Sequence, residues 1–228
     1  MAHPLMEALL QRVLHPRAGT MQCHLITLYG LALSLGARNI LELGHLRGET
    51  TTPLLMAAKS TNGSVTSVDL SDSSYVPPDG LGARWAFHKG DSVAFVSESP
   101  TVWDIVLVDD WHAAAHVRSE LAQLANKTRL DSVVVLHDVM TTASPAAERG
   151  AGRAHLARYN ARGTHPRFGW ASTGYDVFDG LRPSEWEFMT IPSCHGMTLL
   201  RKLSCWDQRG FDPLDTSRVG SLRPVKCK

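Results

Sequence analysis

Asn39-Ile-Leu-Glu-Leu-Gly-His-Leu-Arg-Gly48 is the stretch from which the fold can be read. Its apolar run, Ile40, Leu41 and Leu43, reads as a buried strand carrying one inward acid, Glu42, and it breaks at Gly44. Gly48 then opens an amphipathic segment, Glu49 to Ala58, which predicts a helix. Strand, glycine turn and helix in this order make the first unit of a nucleotide-binding α/β sheet, where residues without Cβ let a ligand lie against the backbone. Spacing restricts the ligand. Gly44 and Gly48 give G-x-x-x-G rather than the G-x-G-x-x-G of pyrophosphate binders, and no G-K-[ST] follows for a triphosphate. The pattern suits a ligand that has an adenosine and no phosphate, as in S-adenosyl-L-methionine (SAM).

The remaining strands follow the same logic. Val65 to Val68 form a second strand ending at Asp69, 25 residues after Gly44. An acid at about that offset accepts hydrogen bonds from ribose hydroxyls. Arg84 to His88 read as a third strand, closing on Gly90-Asp91-Ser92, where the Asp91 carboxylate and Ser92 backbone can meet an adenine edge. Asp104 to Val108 are a fourth, closing on Asp109-Asp110-Trp111-His112. Ser132 to Leu136 are a fifth, closing on His137-Asp138. Polar residues thus gather where strands finish, the edge at which open α/β sheets bind ligands.

Glu42-Leu-Gly-x-x-x-Gly48-x-Thr-Thr, Val68-Asp69, Leu107-Val-Asp-Asp-Trp-His112 and Val135-Leu-His-Asp138 resemble the class I SAM-dependent methyltransferases. Within them the chain is most similar to a small O-methyltransferase-like group related to the metal-dependent sugar, macrolide and catechol-type enzymes. The resemblance covers roughly residues 38 to 202. It implies a doubly wound, mostly parallel, seven-stranded Rossmann-like sheet with helices on both faces and an antiparallel closing strand. It also implies a SAM site at Glu42, Gly44, His45, Gly48, Thr51, Asp69, Leu70, Gly90, Asp91, Ser92 and Asp109. Glu42 is expected to bind around the ribose or the methionine ammonium, because a bare carboxylate inside a strand is costly without a partner. His45 and the amides near Gly44 lie close to the methionine carboxylate.

Two carboxylates and a histidine at neighbouring strand ends can hold a divalent cation and activate a substrate hydroxyl. By resemblance Asp109 and Asp138 are the ligands, with His137 a third. A histidine here departs from the acid-amide pair of catechol-type enzymes and leaves Mg, Mn or another metal open. The alternative also stays open: His137 bonding a carbonyl and Asp138 capping a helix. His112 offers a metal-free base, so Asp109, His112 and His137 are the catalytic candidates. Asp110 is expected to be exposed or to cap the helix Ala113 to Asn126.

The implied activity is methyl transfer to a hydroxyl of a small molecule, a specialised metabolite or sugar. Transfer to nitrogen, another sulfonium reaction, or a non-catalytic cofactor-binding module on the same fold are the alternatives. Composition is that of a globular chain: 228 residues, 20% charged and 43% hydrophobic. A net charge of +1 provides no field for nucleic acid. Arg149, Arg153, Arg158, Arg162 and Arg167 read as a solvated helix face. No apolar run spans a bilayer and no signal segment is seen. Cys23, Cys194, Cys205 and Cys227 lack C-x-x-C spacing and read as free thiols of a reducing, cytoplasmic compartment.

Residues 1–36 are expected to be an N-terminal helical segment, with helices at Pro4 to Leu14 and Met21 to Leu35. These pack on the sheet, and in related enzymes such helices also cover the cofactor or form a homodimer interface. Residues 37–203 are the cofactor domain, with 139–183 an acceptor-side insertion or lid, including a helix within Ala143 to Tyr159 and an aromatic loop from Gly163 to Gly180. Glu185 to Ile191 and Met197 to Lys202 read as closing strands, and 204–228 as a peripheral tail.

Overall fold

The computed structural model describes residues 4–15, 21–111, 114–139, 186–193 and 196–202. The expected helix within Ala143 to Tyr159, the aromatic loop, the arginine cluster and the tail lie outside them. Seven strands are present: β1 (Asn39–Leu43), β2 (Ser64–Asp69), β3 (Trp85–Lys89), β4 (Trp103–Val108), β5 (Thr128–His137), β6 (Trp186–Ile191) and β7 (Met197–Lys202). They form one sheet in the order β3-β2-β1-β4-β5-β7-β6. The first five are parallel, and β7 runs antiparallel to both β5 and β6. Among the described residues the α-helices are α1 (Pro4–Leu14), α2 (Leu25–Ser34), α3 (Thr51–Thr61), α4 (Ser92–Glu98) and α5 (Ala114–Leu124).

Strand alternation divides the interior in two. Ile40, Ile105, Leu107, Val133 and Val135 face one core with α1, α2 and α3. Leu41, Leu43, Val106, Val108, Val134 and Leu136 face the other, with Val96 of α4 and Val117, Leu121 and Leu124 of α5. The central strands are therefore apolar on both sides, as a sheet covered on both faces requires. Each large side chain buried there is worth roughly 1.5–3 kcal/mol. Glu42 shares the face of Ile40 and so points at α3.

Three local readings change. The helix after the glycine turn begins at Thr51, not Glu49, and it is not amphipathic. Seven of its eleven residues are buried because α2 covers the side that the sheet does not. Strand β5 starts four residues early, at Thr128, and its register against β4 shifts between Trp103 and Ile105. Ser132 pins that irregularity, its hydroxyl donating to the Trp103 carbonyl at 2.7 Å and accepting from the Arg129 amide at 2.8 Å. The third change is at Cys23, which is held in a disulfide, whereas a free thiol was expected. The nearest other cysteine in sequence is Cys194. Cysteines far apart in sequence leave no short-range spacing to read, and the argument for a reducing compartment does not hold at this residue. Among the described residues no helix is long and apolar enough to cross a membrane.

α3 ends where Asn62 adopts φ +58° and the Gly63 amide donates to the Ala58 carbonyl at 2.7 Å. A Cβ on Gly63 would lie 2.6 Å from both Cα and the carbonyl oxygen of Arg38. Those are backbone atoms at the entry to β1 and cannot swing aside. Gly63→Ala should therefore destabilise the chain by about 1–3 kcal/mol, read as a lower urea midpoint with an unchanged slope.

Candidate functional site

The chain reverses its direction of travel across the sheet between β1 and β4. The loops after these two strands part toward opposite faces and leave a crevice at the strand ends. A cleft of about 830 Å³ opens there. It is lined by residues following β1, β2, β3, β4 and β5, together with Met21 from the turn before α2.

The floor is the glycine loop, and two carboxylates hold it. Glu42 is wholly buried. Its Oε1 accepts from Thr50 Oγ1 at 2.5 Å, and its Oε2 accepts from Thr51 Oγ1 at 2.7 Å and Ser67 Oγ at 2.5 Å. His45 Nδ1 lies 3.1 Å from the same Oε2 and 2.9 Å from Thr51 Oγ1, while Nε2 lies 2.7 Å from Ser73 Oγ. The pattern closes if Nδ1 carries the proton and Ser73 donates to Nε2. Trp85, Phe87 and Tyr75 surround the imidazole at centroid distances of 5.3, 5.4 and 5.4 Å. Asp69, the second carboxylate, accepts from the amides of His45 (3.1 Å), Leu46 (2.9 Å) and Ser71 (2.8 Å).

Three of the expected cofactor residues, Glu42, Gly48 and Thr51, do not line the cleft. Glu42 and Thr51 are spent on each other and on the loop, with no surface in the cleft. Gly44 is required by the protein itself: at φ +87°, a Cβ would sit 2.3 Å from the Asp109 carbonyl oxygen. Gly48, at φ +73°, would meet the Tyr75 ring at 2.4 Å and does not line the cleft. Gly44 and His45 still contribute to the wall. Asp69, Leu70, Gly90, Asp91, Ser92 and Asp109 line the cleft. Asp91 has a second duty as N-cap of α4, accepting from the Ala94 amide at 2.8 Å. Leu70 stands 69% exposed at the mouth.

At the β4 and β5 ends, Asp109, His137 and Asp138 each offer one ligand atom, all within 4.8 Å of one another. His137 Nδ1 is 2.9 Å from Asp109 Oδ1 and 3.3 Å from Asp138 Oδ1. His137 is 3% exposed and Asp138 is held at φ +56°. Two carboxylate oxygens and an imidazole nitrogen gathered this closely are a donor set that suits a divalent cation. His24 stands edge-on to His137 at 5.8 Å, and its Nε2 lies 2.8 Å from the Ser193 carbonyl. Burial lowers the His24 pKa, so its ring is neutral and donates there. Sequence reasoning missed His24 and Met21, since neither sits on a strand end. The N-terminal segment thus both packs on the sheet and reaches the cleft. His112 lies outside the described residues.

Asp110 is neither exposed nor a helix cap. Its Oδ2 accepts from Ser92 Oγ at 2.8 Å and lies 3.2 Å from His116 Nε2. Glu120 Oε1 is 3.5 Å from the same nitrogen. Burial and the neighbouring Asp110 charge push the Glu120 carboxyl up to about 8. The hydrogen bond to Asp110 and the Glu120 carboxylate 3.5 Å away raise His116 to about 10. Burial works against Asp110, yet its bonds to His116 and Ser92 and the nearby Glu120 carboxyl hold it below its ordinary range. The i, i+4 spacing of His116 and Glu120 was the sequence signal for this cluster.

With this geometry in place, residues 41–139 match a family model described as a methyltransferase domain. No curated protein matches the sequence. The chain is similar to the O-methyltransferase TomG of Streptomyces achromogenes, involved in tomaymycin synthesis and solved with SAM, at 16% identity over 90% of this chain and 92% of that one, TM-score 0.54. It is similar to a methyltransferase of Podospora anserina bound to S-adenosylhomocysteine (SAH), at 13% identity over 88% of both chains, TM-score 0.61. A third similar structure is an O-methyltransferase of Bacillus cereus with SAH, at 17% identity over 89% and 92%, TM-score 0.52.

Glu42→Gln keeps the shape but sets an amide among groups that all donate, and should cost about 3 kcal/mol or more in urea unfolding. A pH dependence follows from the second cluster in chelated protein. Glu120, about 8 when folded against an ordinary 4.5, adds stability that is full below 4.5 and lost as pH rises through 8. His116, about 10 against 6.5, adds stability that is full below 6.5 and lost toward 10. Between 6.5 and 8 both act in one direction, so the urea midpoint should fall over that window and fall less steeply in Glu120→Gln.

Proposed function

We propose, on the premise that residues 41–139 form a class I methyltransferase domain, that the protein is an O-methyltransferase using SAM on a small hydroxylated molecule, a specialised metabolite or sugar. One observation carries the reading. A single cleft is lined both by Asp69, at the end of β2, and by the converging Asp109, His137 and Asp138 at the ends of β4 and β5. Two strands, β1 and β4, separate β2 from β5. At about 4.8 Å per strand the two ends lie roughly 14 Å apart, a span suited to an elongated ligand with its sugar at Asp69 and its reactive end at Asp109.

Asp69 has about four lone-pair positions and three amides on it, which leaves room for a ribose hydroxyl. Leu70 and the half-exposed Trp111 supply apolar surface at the mouth. Bound SAM supplies a methyl group already activated by the sulfonium, and a cation held by Asp109, His137 and Asp138 would lower the pKa of an acceptor hydroxyl. The chain has two tasks, alignment and removal of the acceptor proton. Alignment by a preformed cleft contributes roughly 7–11 kcal/mol to lowering the barrier. Asp109 Oδ1 and Asp138 Oδ1, 2.9 and 3.3 Å from His137 Nδ1, are the carboxylate oxygens placed to take that proton.

Isothermal titration with SAM, followed by methyl transfer to a panel of hydroxyl acceptors with and without chelator, tests the proposal. SAM should bind, Asp69→Ala should weaken binding by at least about tenfold, the loss of roughly one charge-assisted hydrogen bond, and Asp138→Ala should abolish turnover while leaving SAM affinity largely intact. Unchanged affinity in Asp69→Ala removes the ribose assignment. Retained turnover in Asp138→Ala removes Asp138 from the chemistry.

A further inference from the structure

Asp109 and Asp110 are consecutive, yet their side chains leave β4 on opposite sides. Asp109 turns to His137 on β5, and Asp110 turns to Ser92 on α4 and His116 on α5. Each acid therefore belongs to its own cluster. We propose that Asp110, His116 and Glu120 form a second divalent-cation site, for a transition metal of the zinc type, on the flank of the cleft and separate from Asp109, His137 and Asp138.

Donor arithmetic carries the proposal. Among the described residues Glu120 is wholly buried, and neither of its oxygens has a hydrogen-bond partner. Asp110 Oδ1 is buried and equally without one. The hydrogens facing these two carboxylates are the Ser92 hydroxyl, spent on Asp110 Oδ2, and whatever proton His116 Nε2 carries. Two such donors leave Asp110 Oδ1 and both Glu120 oxygens unserved, so either a proton shared between the two carboxyl groups or a cation must fill the gap, and a buried carboxylate without partners is costly. A cation satisfies several oxygens at once and needs no proton to do so.

Position agrees with this. His116 and Glu120 are four residues apart on α5, so they share a helix face, and Asp110 approaches from the strand end opposite. One ligand atom from each residue lies within 4.8 Å of the others. One imidazole nitrogen with two carboxylates suits Zn, Mn, Co or Fe better than Mg or Ca. Ser92 Oγ donates to Asp110 Oδ2 at 2.8 Å and so serves as an outer partner that orients that ligand, while its 3.0 Å contact with His116 Nε2 would give way to the ion. Ser92, Asp110 and His116 also line the cleft. An ion here would fix the wall on which Ser92 sits without touching the proton-accepting cluster.

The probe is Co²⁺ alone, titrated without SAM into full-length chain carrying Asp109→Asn and Asp138→Asn. The expected result is one-to-one binding with visible ligand-field absorption, competed by Zn²⁺. Adding Glu120→Gln should weaken that binding by at least the roughly 10-fold that losing even an outer partner costs. A chain whose circular dichroism is native but which binds no Co²⁺, or binds it equally well after Glu120→Gln is added, overturns the proposal and leaves a shared proton as the occupant. Should the double variant not fold, stoichiometry decides it: Glu120→Gln in the otherwise unaltered chain must bind one Co²⁺ fewer, and an equal number overturns the proposal.

Discussion

Glu42 has no contact with water and everything around the cleft is arranged about it. A carboxylate in the middle of a central strand would be intolerable alone. Here two threonines, a serine and a histidine converge on it. Those four residues come from the glycine loop, the start of α3 and β2, so one charge ties the first strand to the helix that follows and to its neighbouring strand. Hydrogen bonds to a charged acceptor are worth roughly 1.5–3 kcal/mol each, and shared burial makes losing any one of them more costly. The loop is thus preorganised before any ligand arrives. That is why Glu42 shapes the site without being part of its surface.

Asp69 completes the same device from above. Its three amide bonds draw the loop toward the end of β2 and hold Leu46 at φ +45°, a conformation that costs a side chain other than glycine about 1–3 kcal/mol. Asp138 is held similarly, at φ +56°, with its carboxylate brought to His137. Asp tolerates the left-handed region better than Leu because its short polar side chain bonds locally. Both strained residues line the cleft. Strain placed at the ligand-facing edge and supported by buried hydrogen bonds is the arrangement expected of a site rather than of a connecting turn.

The parallel sheet was legible because each central strand announces itself as a short apolar run ending in polar residues, and the closing strands Met197–Lys202 and Trp186–Ile191 were legible from the Pro192 and Gly196 that bracket the break between them. Which residues face the cleft was legible only in part. Leu70, Gly90, Ser92 and Asp109 stand at strand ends, where period-two reasoning works. Glu42, Gly48 and Thr51 have the same spacing signature but are claimed by Ser67, His45 and Tyr75, neighbours that only the fold brings near. Spacing cannot distinguish a glycine needed by a ligand from one needed by a tyrosine ring. His24 and the disulfide at Cys23 escaped for a related reason, since both depend on contacts between segments far apart in sequence.

The pair Asp109-Asp110 shows how far one residue step reaches at a strand end. Along β4 successive side chains enter different cores, Leu107 one and Val108 the other. The alternation does not stop where the strand stops. It sends Asp109 toward β5 and Asp110 toward α4 and α5, so the two neighbouring acids acquire opposite surroundings. Asp109 gains an imidazole that is shared with a second carboxylate and faces the cleft. Asp110 gains an imidazole shared with a carboxylate sealed under α5. Exchanging the two environments would require a one-residue slip of β4, and that would also turn Leu107 and Val108 into the wrong cores. The packing that fixes the register of the sheet therefore also fixes which cluster each acid joins.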